Sequence, residues 1–266
     1  MKKLINKTLE LDNKMLKISN RINNTFLGKL MLKIISEIFL AILVAVAIYV
    51  SQTLYEDASR LTKDNLYYEN LTIGLSEEYV NSLFGIPKST LYDGSIKNNF
   101  YQMKDSILRV CFDSEYTTIA YFITVTKSNR TINLSPYYQD TNIELGKSTF
   151  DDINMQPIKI DANVAGSGDD YNYYAEWFYM GNPGSYNTYI YSINSYGISN
   201  ELDIKLVGEA YFNFFLKNGE VKLENIQQYR YEAKPNTFGV IALGYQDKID
   251  VIPYNERWKD VSRMLR

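Results

Sequence analysis

Histidine is absent from the 266 residues, and cysteine occurs once, as Cys111. The first absence removes Ser-His-Asp and Cys-His nucleophile systems together with the imidazole metal sites. The second leaves no intramolecular disulfide and no thiolate zinc cluster, so stability must come from packing. Proline is sparse, at six residues, and no Pro- or Ser-rich linker marks a domain boundary. Positive charge is scarce beyond the first segment: residues 1–33 hold eight Lys or Arg against Glu10 and Asp12, a net of +6, so the rest carries −9 of the overall −3. A chain whose bulk is that acidic repels phosphate, which excludes nucleic acid as a partner.

What the chain has in quantity is aromatic and apolar. Hydrophobic residues make up 45%, enough for one large core or two small ones, and the 24 tyrosines favour a β-rich fold. The run IFLAILVAVAIYV, Ile38 to Val50, carries no charge. With its neighbours it forms an apolar segment over 34–55, and 17 to 22 helical residues reach roughly 26 to 33 Å, the thickness of a hydrocarbon core. Glu37 falls in the first turn, at the interface rather than the mid-plane. The basic preamble keeps the N-terminus cytoplasmic and exports the larger part. That preamble is too long for a signal-peptide n-region, and no small-residue cleavage site follows Val50, so the segment reads as an uncleaved signal anchor in the lipid bilayer. Within residues 1–33, Leu11, Met15, Ile18 and Ile22 recur at helical spacing. They predict a basic amphipathic helix that lies on anionic lipid, forms a homo-oligomeric seam or only fixes topology.

Beyond the span the punctuation is regular. In IGLSEEYVNSLFGIP, Ile73 to Pro87, Ser76 is a good N-cap and Glu77 and Glu78 suit the helix dipole. Tyr79, Val80 and Leu83 share a face, and Gly85 and Pro87 stop the helix. Strand signals follow at 98–104, 106–113 and 116–126, with Leu108, Val110 and Phe112 on one side of the middle strand and Arg109, Cys111 and Asp113 on the other. Seventy residues on, IELGKSTFDDINMQP echoes the motif: Ile73 aligns with Ile143, Val80 with Phe150, Leu83 with Ile153 and Pro87 with Pro157, while Gly74 and Gly146 do not coincide. Two strands, 171–180 and 186–196, come after it, so helix and meander repeat.

The pattern Gly74, Ser76, Val80, Leu83, Gly85 and Pro87 followed by antiparallel strands resembles the small lipoprotein of the bacterial outer-membrane β-barrel assembly machine, of SmpA/OmlA type. The doubled arrangement over 72–196 is similar to the tandem fold of β-lactamase-inhibitor proteins. That resemblance implies an extracytoplasmic, non-catalytic module that binds another envelope protein or a cell-wall component. The expected fold class is α+β: a transmembrane helix, a first helix-plus-meander repeat over 72–134, a second over 143–197, and C-terminal strands and helix over 198–266. In the last part, 203–217 and 219–234 read as a hairpin turning at Asn218-Gly219, 238–252 as a further strand or two, and 255–266 as a helix with Trp258, Val261 and Leu265 on one side.

Candidate chemical groups are few. Glu77/Glu78, Asp151/Asp152 and Asp169/Asp170 are carboxylate pairs of the sort a glycan-acting enzyme needs, yet each sits where capping or turns call for acids. The loop GSGDD, 166–170, lacks the spaced ligand series of a calcium loop, and Cys111 has no histidine to activate it. No catalytic residue, cofactor site or metal site is expected. The tyrosines Tyr171, Tyr173, Tyr179, Tyr189 and Tyr191 form the candidate interaction surface, since aromatics on a sheet face suit protein or glycan contact. The leading expectation is a membrane-anchored binding module; an envelope enzyme working through acids and a membrane-spanning envelope sensor are the alternatives.

Overall fold

The computed structural model describes residues 14, 15, 17, 26–127, 130–134, 143–164, 172–182, 185–194, 206–215 and 220–252. The chain divides into two units, Met1–Thr62 and Lys63–Arg266. The architecture is α+β: an apolar N-terminal helix, then an eight-stranded antiparallel sheet with a few short helices.

In the first unit, helix α1 begins at Phe26; it runs to Glu69. Its stretch Lys33–Gln52 is 20 residues long with a mean hydropathy of 2.5, and none of it is buried. The two serine hydroxyls there are satisfied internally, Ser36 Oγ donating to Lys33 O at 2.8 Å and Ser51 Oγ to Ile48 O at 2.9 Å. Such a helix satisfies its backbone polar groups internally and exposes mostly hydrocarbon, with the charges of Lys33 and Glu37 near its first turn. Of the 11–22 pattern, Lys14, Met15 and Lys17 are described, as exposed helical residues.

The second unit is built on one sheet. Its strands are β1 (Ser89–Asp93), β2 (Ile96–Gln102), β3 (Ser106–Phe112), β4 (Thr118–Val125), β7 (Lys159–Asn163), β8 (Tyr173–Asn182), β9 (Ser185–Asn194) and β10 (Thr237–Ala242), while β5 (Ile132–Asn133) and β6 (Glu144–Leu145) form a small separate ribbon. The spatial order is β1-β2-β3-β4-β10-β9-β8-β7. Two four-stranded meanders therefore join through their last strands, with Phe238 of β10 opposite Ile123 of β4 on one side and Tyr191 of β9 on the other. A buried polar row reinforces the join: the Thr124 and Thr237 hydroxyls are 2.8 Å apart, and Asn194 Nδ2 donates to Thr237 Oγ1 at 3.1 Å.

Both faces of the sheet are covered, which is why every residue of β3 and β4 is buried. On the first face Leu108, Val110, Tyr121, Ile123, Phe178, Tyr191 and Phe238 pack with residues of three helices: α2 (Glu77–Phe84), a π-helical segment (Glu209–Phe215) and α3 (Leu223–Arg230). On the second face Ile96, Cys111, Phe122, Trp177 and Ile190 pack with Ile249 and Val251 of the segment after β10. Laid flat, eight strands would hold their outer members roughly 34 Å apart. Asp250 of that segment nonetheless lies within electrostatic reach of both Asp93, at the end of β1, and Asp161, in β7. The sheet is therefore curled, its second face inward.

Helix α2 forms for the reasons its sequence supplies. Ser76 has extended backbone and its hydroxyl accepts from Tyr79 N at 3.3 Å; Gly85 ends the helix at φ +82°. The buried side differs from the expected one. Val80 is buried, Tyr79 is exposed, and Phe84 replaces it, stacking 5.9 Å from Tyr68. Residues 80 and 84 are one helical turn apart, whereas Tyr79 is rotated about 100° away.

Two expectations are corrected. The second motif does not form a helix: Gly146 to Ile153 makes turns, with Phe150 and Ile153 buried in the first-face core and Pro157 closing the segment. One i→i−4 bond forms, Ser148 N to Glu144 O at 2.8 Å, but the next donors are committed elsewhere, Thr149 N to Asp152 Oδ2 at 2.7 Å, Phe150 N to Ala233 O at 3.1 Å and Asp151 N to Arg230 O at 3.2 Å, so the ladder does not continue. The expected hairpin across 203–234 is helical on both flanks, because Leu206, Val207 and Ala210, then Ile226 and Arg230, bury at helical rather than alternate spacing. Asn218 and Gly219, the loop 166–170 and the helix expected at 255–266 lie outside the described residues.

Candidate functional site

The five tyrosines do not share one face. Strands β8 and β9 pair odd numbers with even ones, Tyr179 opposite Thr188 and Tyr173 opposite Asn194. Tyr173 and Tyr179 consequently point to the inner face, Tyr189 and Tyr191 to the helix-covered one. Tyr191 is 0% exposed, its ring 5.8 Å from Phe178 and 5.3 Å from Phe238, so it belongs to the core. Tyr189 is half-buried beside Phe238, Tyr173 is half-buried and donates to Asp161 Oδ2 at 3.2 Å, and Tyr171 lies outside the described residues. Of the expected surface, Tyr179 remains, 42% exposed. It stacks on Tyr186, itself 37% exposed, with centroids 5.0 Å apart and planes at 18°. Leu243, 60% exposed, follows directly after the Ala242–Asn187 pair. Together these three form an apolar edge at the open end of β8, β9 and β10, the kind of rigid, low-entropy surface that protein and sugar partners use.

A second feature is an open hollow of about 520 Å³ at the start of α2, lined by Ser76, Glu77, Glu78, Asn81, Glu115 and Tyr116. Lys97 Nζ donates to both Glu77 oxygens at 2.7 and 2.8 Å, and Asn99 Nδ2 donates to Oε1 at 2.8 Å. Burial pushes the Glu77 carboxyl up, but Lys97 and Asn99 outweigh it and hold the group below its ordinary range. Beneath them Tyr101 donates to Asn81 Oδ1 at 2.8 Å, and burial pushes its phenol up to about 12. Tyr116 forms the rim at φ +59°, the one non-glycine residue with positive φ among those described. The hairpin imposes that conformation: Asp113 Oδ1 accepts from Glu115 N and Thr117 N, each at 3.0 Å, and Tyr116 O accepts from Glu77 N at 2.9 Å. The hollow is rich in acceptors and negative charge, and its one hydroxyl at the helix start, Ser76 Oγ, accepts from Tyr79 N.

The remaining candidates have structural duties. Asp151 accepts from Gln227 Nε2 at 2.9 Å, Asp152 Oδ2 accepts from Thr149 N at 2.7 Å, and Asp169 and Asp170 lie outside the described residues. Cys111 is fully buried, its thiol donating to Asn98 Oδ1 at 3.2 Å and pushed up by burial. Among the described residues no group of three or more Cys, Asp or Glu side chains could hold a metal ion.

Glu176 and Arg109 are buried charges that were not among the candidate groups. Glu176, alone among aromatics in YNYYAEWFYM, is fully buried and takes a two-point contact from Arg230, Nε to Oε1 at 2.8 Å and Nη2 to Oε2 at 3.0 Å. Arg109 lies over the Phe122 ring at 4.6 Å and donates to Asn98 Oδ1 and to the carbonyls of Asp250 and Val251. A charged residue inside an otherwise apolar strand was the available signal for both.

No protein-family model matches the chain, and comparison with the curated proteins and with the solved structures gives no match either.

Proposed function

We propose that this protein is a single-pass membrane-anchored module whose β-rich unit sits outside the cytoplasm and binds another envelope protein or a cell-wall component without catalysing a reaction. The anchor reading draws on the exposed apolar stretch Lys33–Gln52 and on the charge difference between residues 1–33, at +6, and residues 34–266, at −9. One observation carries the binding reading: the stacked pair Tyr179–Tyr186, two exposed rings held face to face on β8 and β9, with exposed Leu243 after the end of β10. Planar, two-torsion side chains lose little entropy on contact and offer a π-face to a sugar ring or an apolar side chain.

The test places a photocrosslinking amino acid at Tyr179, at Tyr186 and, as an exposed control away from this edge, at Tyr92 of the full-length chain in intact cells. Adducts or cell-wall association at the first two positions and not at Tyr92, reduced by Tyr179→Ala with Tyr186→Ala in the partner position, are expected. Equal yields at all three positions would remove the aromatic edge as the binding surface. Protease added to intact cells checks the placement: if the β-rich unit survives there but is cut in lysed cells, the exported orientation is wrong.

A further inference from the structure

From Trp177 to Asn200 the sequence holds no Asp, Glu, Lys or Arg, although 22% of the chain's residues are charged. The strand beside it in space is as bare: from Pro235 through β10 to Gln246 there is again no charge, the first being Asp247. Three adjacent strands are thus neutral along these stretches, in a chain that is acidic beyond residue 33. What remains is Tyr, Ser, Asn, Thr and Gly, the residues through which binding loops contact uncharged surfaces by rings, hydroxyls and amides.

The ring pair is built into this neutral zone. Tyr186 stands opposite Gly181, whose missing side chain leaves room for its ring to lie toward Tyr179, where the two stack at 5.0 Å and 18°. Thr188, the cross-strand partner of Tyr179, is buried and accepts from Gln246 Nε2 at 3.2 Å, while Gln246 Oε1 accepts from Gly244 N at 2.8 Å. The amide is held at both ends beside the Tyr179–Thr188 pair, and it keeps one hydrogen and one lone pair for a further partner. We infer that the Tyr179–Tyr186 pair is a stacking platform for an uncharged glycan, a chain of gluco-configured pyranose units, with the Gln246 amide and the tyrosine hydroxyls bonding its hydroxyl groups. This rests on the binding role proposed above for the same rings and narrows it to one ligand class. Such sugars have axial C–H bonds that form flat apolar faces, rimmed by hydroxyls that both donate and accept. A slab of two near-parallel rings fits the faces, and amide and phenol groups fit the rim. An acidic polymer finds no cation in these stretches, and the charged rim of a protein partner finds nothing there to pair with.

Retention of the full-length chain, in detergent micelles, on immobilised chitin, cellulose and polygalacturonate tests this. Binding is expected on at least one of the two neutral polymers and not on the acidic one, unchanged between about 0.05 and 0.5 M salt because no ion pair contributes. Tyr179→Ala and Tyr186→Ala should each lower the affinity about tenfold, the scale of one lost stacking contact. Tyr179→Phe and Tyr186→Phe should keep more of it, Tyr92→Ala should change nothing, and the melting midpoints of all five variants should match the wild type. Retention on neither neutral polymer, retention that falls with added salt, or alanine variants that bind like the wild type would overturn the inference. If photocrosslinking at Tyr179 and Tyr186 then gives protein adducts, the rings are a protein-binding surface and the ligand class alone is wrong; without adducts both readings fall.

Discussion

Replacing Arg230 by alanine tests how the second meander is held to its helices. Arg230 is 4% exposed, and besides its two-point contact with Glu176 it donates to Phe150 O at 2.8 Å and lies 3.7 Å from Asp151. One side chain thus ties α3 to β8 and to the turn that replaced the expected helix. Glu176 would keep the Tyr174 hydroxyl, at 2.6 Å, and no cation. Leaving a fully buried carboxylate uncompensated costs about 3–5 kcal/mol, far above the small net worth of the intact pair against an apolar substitute. For a unit of this size each kcal/mol moves the midpoint by about 2–4 °C, so melting of the full chain in detergent should fall by roughly 6–20 °C. The pH dependence has a definite sign. Burial already outweighs the help of Arg230 and Tyr174 and holds Glu176 above its ordinary range; without Arg230 it rises further. The variant then takes up a proton on folding, so its deficit is greatest at neutral pH and shrinks as pH falls toward 5. The double variant Glu176→Gln with Arg230→Met removes both charges and should recover most of the loss. A deficit under about 1 kcal/mol, or one that does not change with pH, would refute the assignment of Glu176 as an ionised, buried partner.

Two further outcomes are expected from the backbone. A Cβ at Gly239 would lie 2.4 Å from Phe122 Cδ1, and that ring is pinned beneath Arg109, so Gly239→Ala should cost about 1–3 kcal/mol and lower the midpoint by roughly 2–12 °C; an unchanged melt would mean the β4–β10 contact is looser than its geometry. Tyr116→Gly relieves a left-handed conformation and should raise stability by about 0.5–1 kcal/mol, seen as a small rise in melting temperature, whereas a fall would show that the Tyr116 side chain holds the hollow together.

Local chemistry was readable in the sequence and long-range order was not. Ser76 and Gly85 bracket α2 because capping is a property of single positions, and β2, β3, β4, β8 and β9 appear where aromatic and branched residues alternate or run together. The parity of Leu108 and Arg109 within β3 was also legible. What parity could not supply is the register between strands: with odd paired to even across β8 and β9, tyrosines of like number separate to opposite faces. Aromatic composition misled at Glu209–Phe215, where β-forming residues adopt a helix because Leu206, Val207 and Ala210 have a core to enter. Arg109 and Asp250 meet across 141 residues, a proximity that no local pattern encodes.

The placement of β10 explains why the two halves differ although their strand order mirrors. In the first half a helix precedes the meander, and α2 covers β2 to β4 from that side. In the second half the corresponding segment does not continue as a helix, since the Phe150 and Asp151 donors are held by the carbonyls of Ala233 and Arg230. Those carbonyls belong to the chain between β9 and β10, which supplies the π-helical segment and α3 as the cover instead. The cover thus moves from before the meander to inside it, and β10 is free to enter the sheet only after that excursion. Because β10 fills the centre, its continuation emerges over the inner face, and Ile249 and Val251 have the shortest path onto Trp177 and Phe122. The buried inner face is in this sense a consequence of where the second cover is inserted.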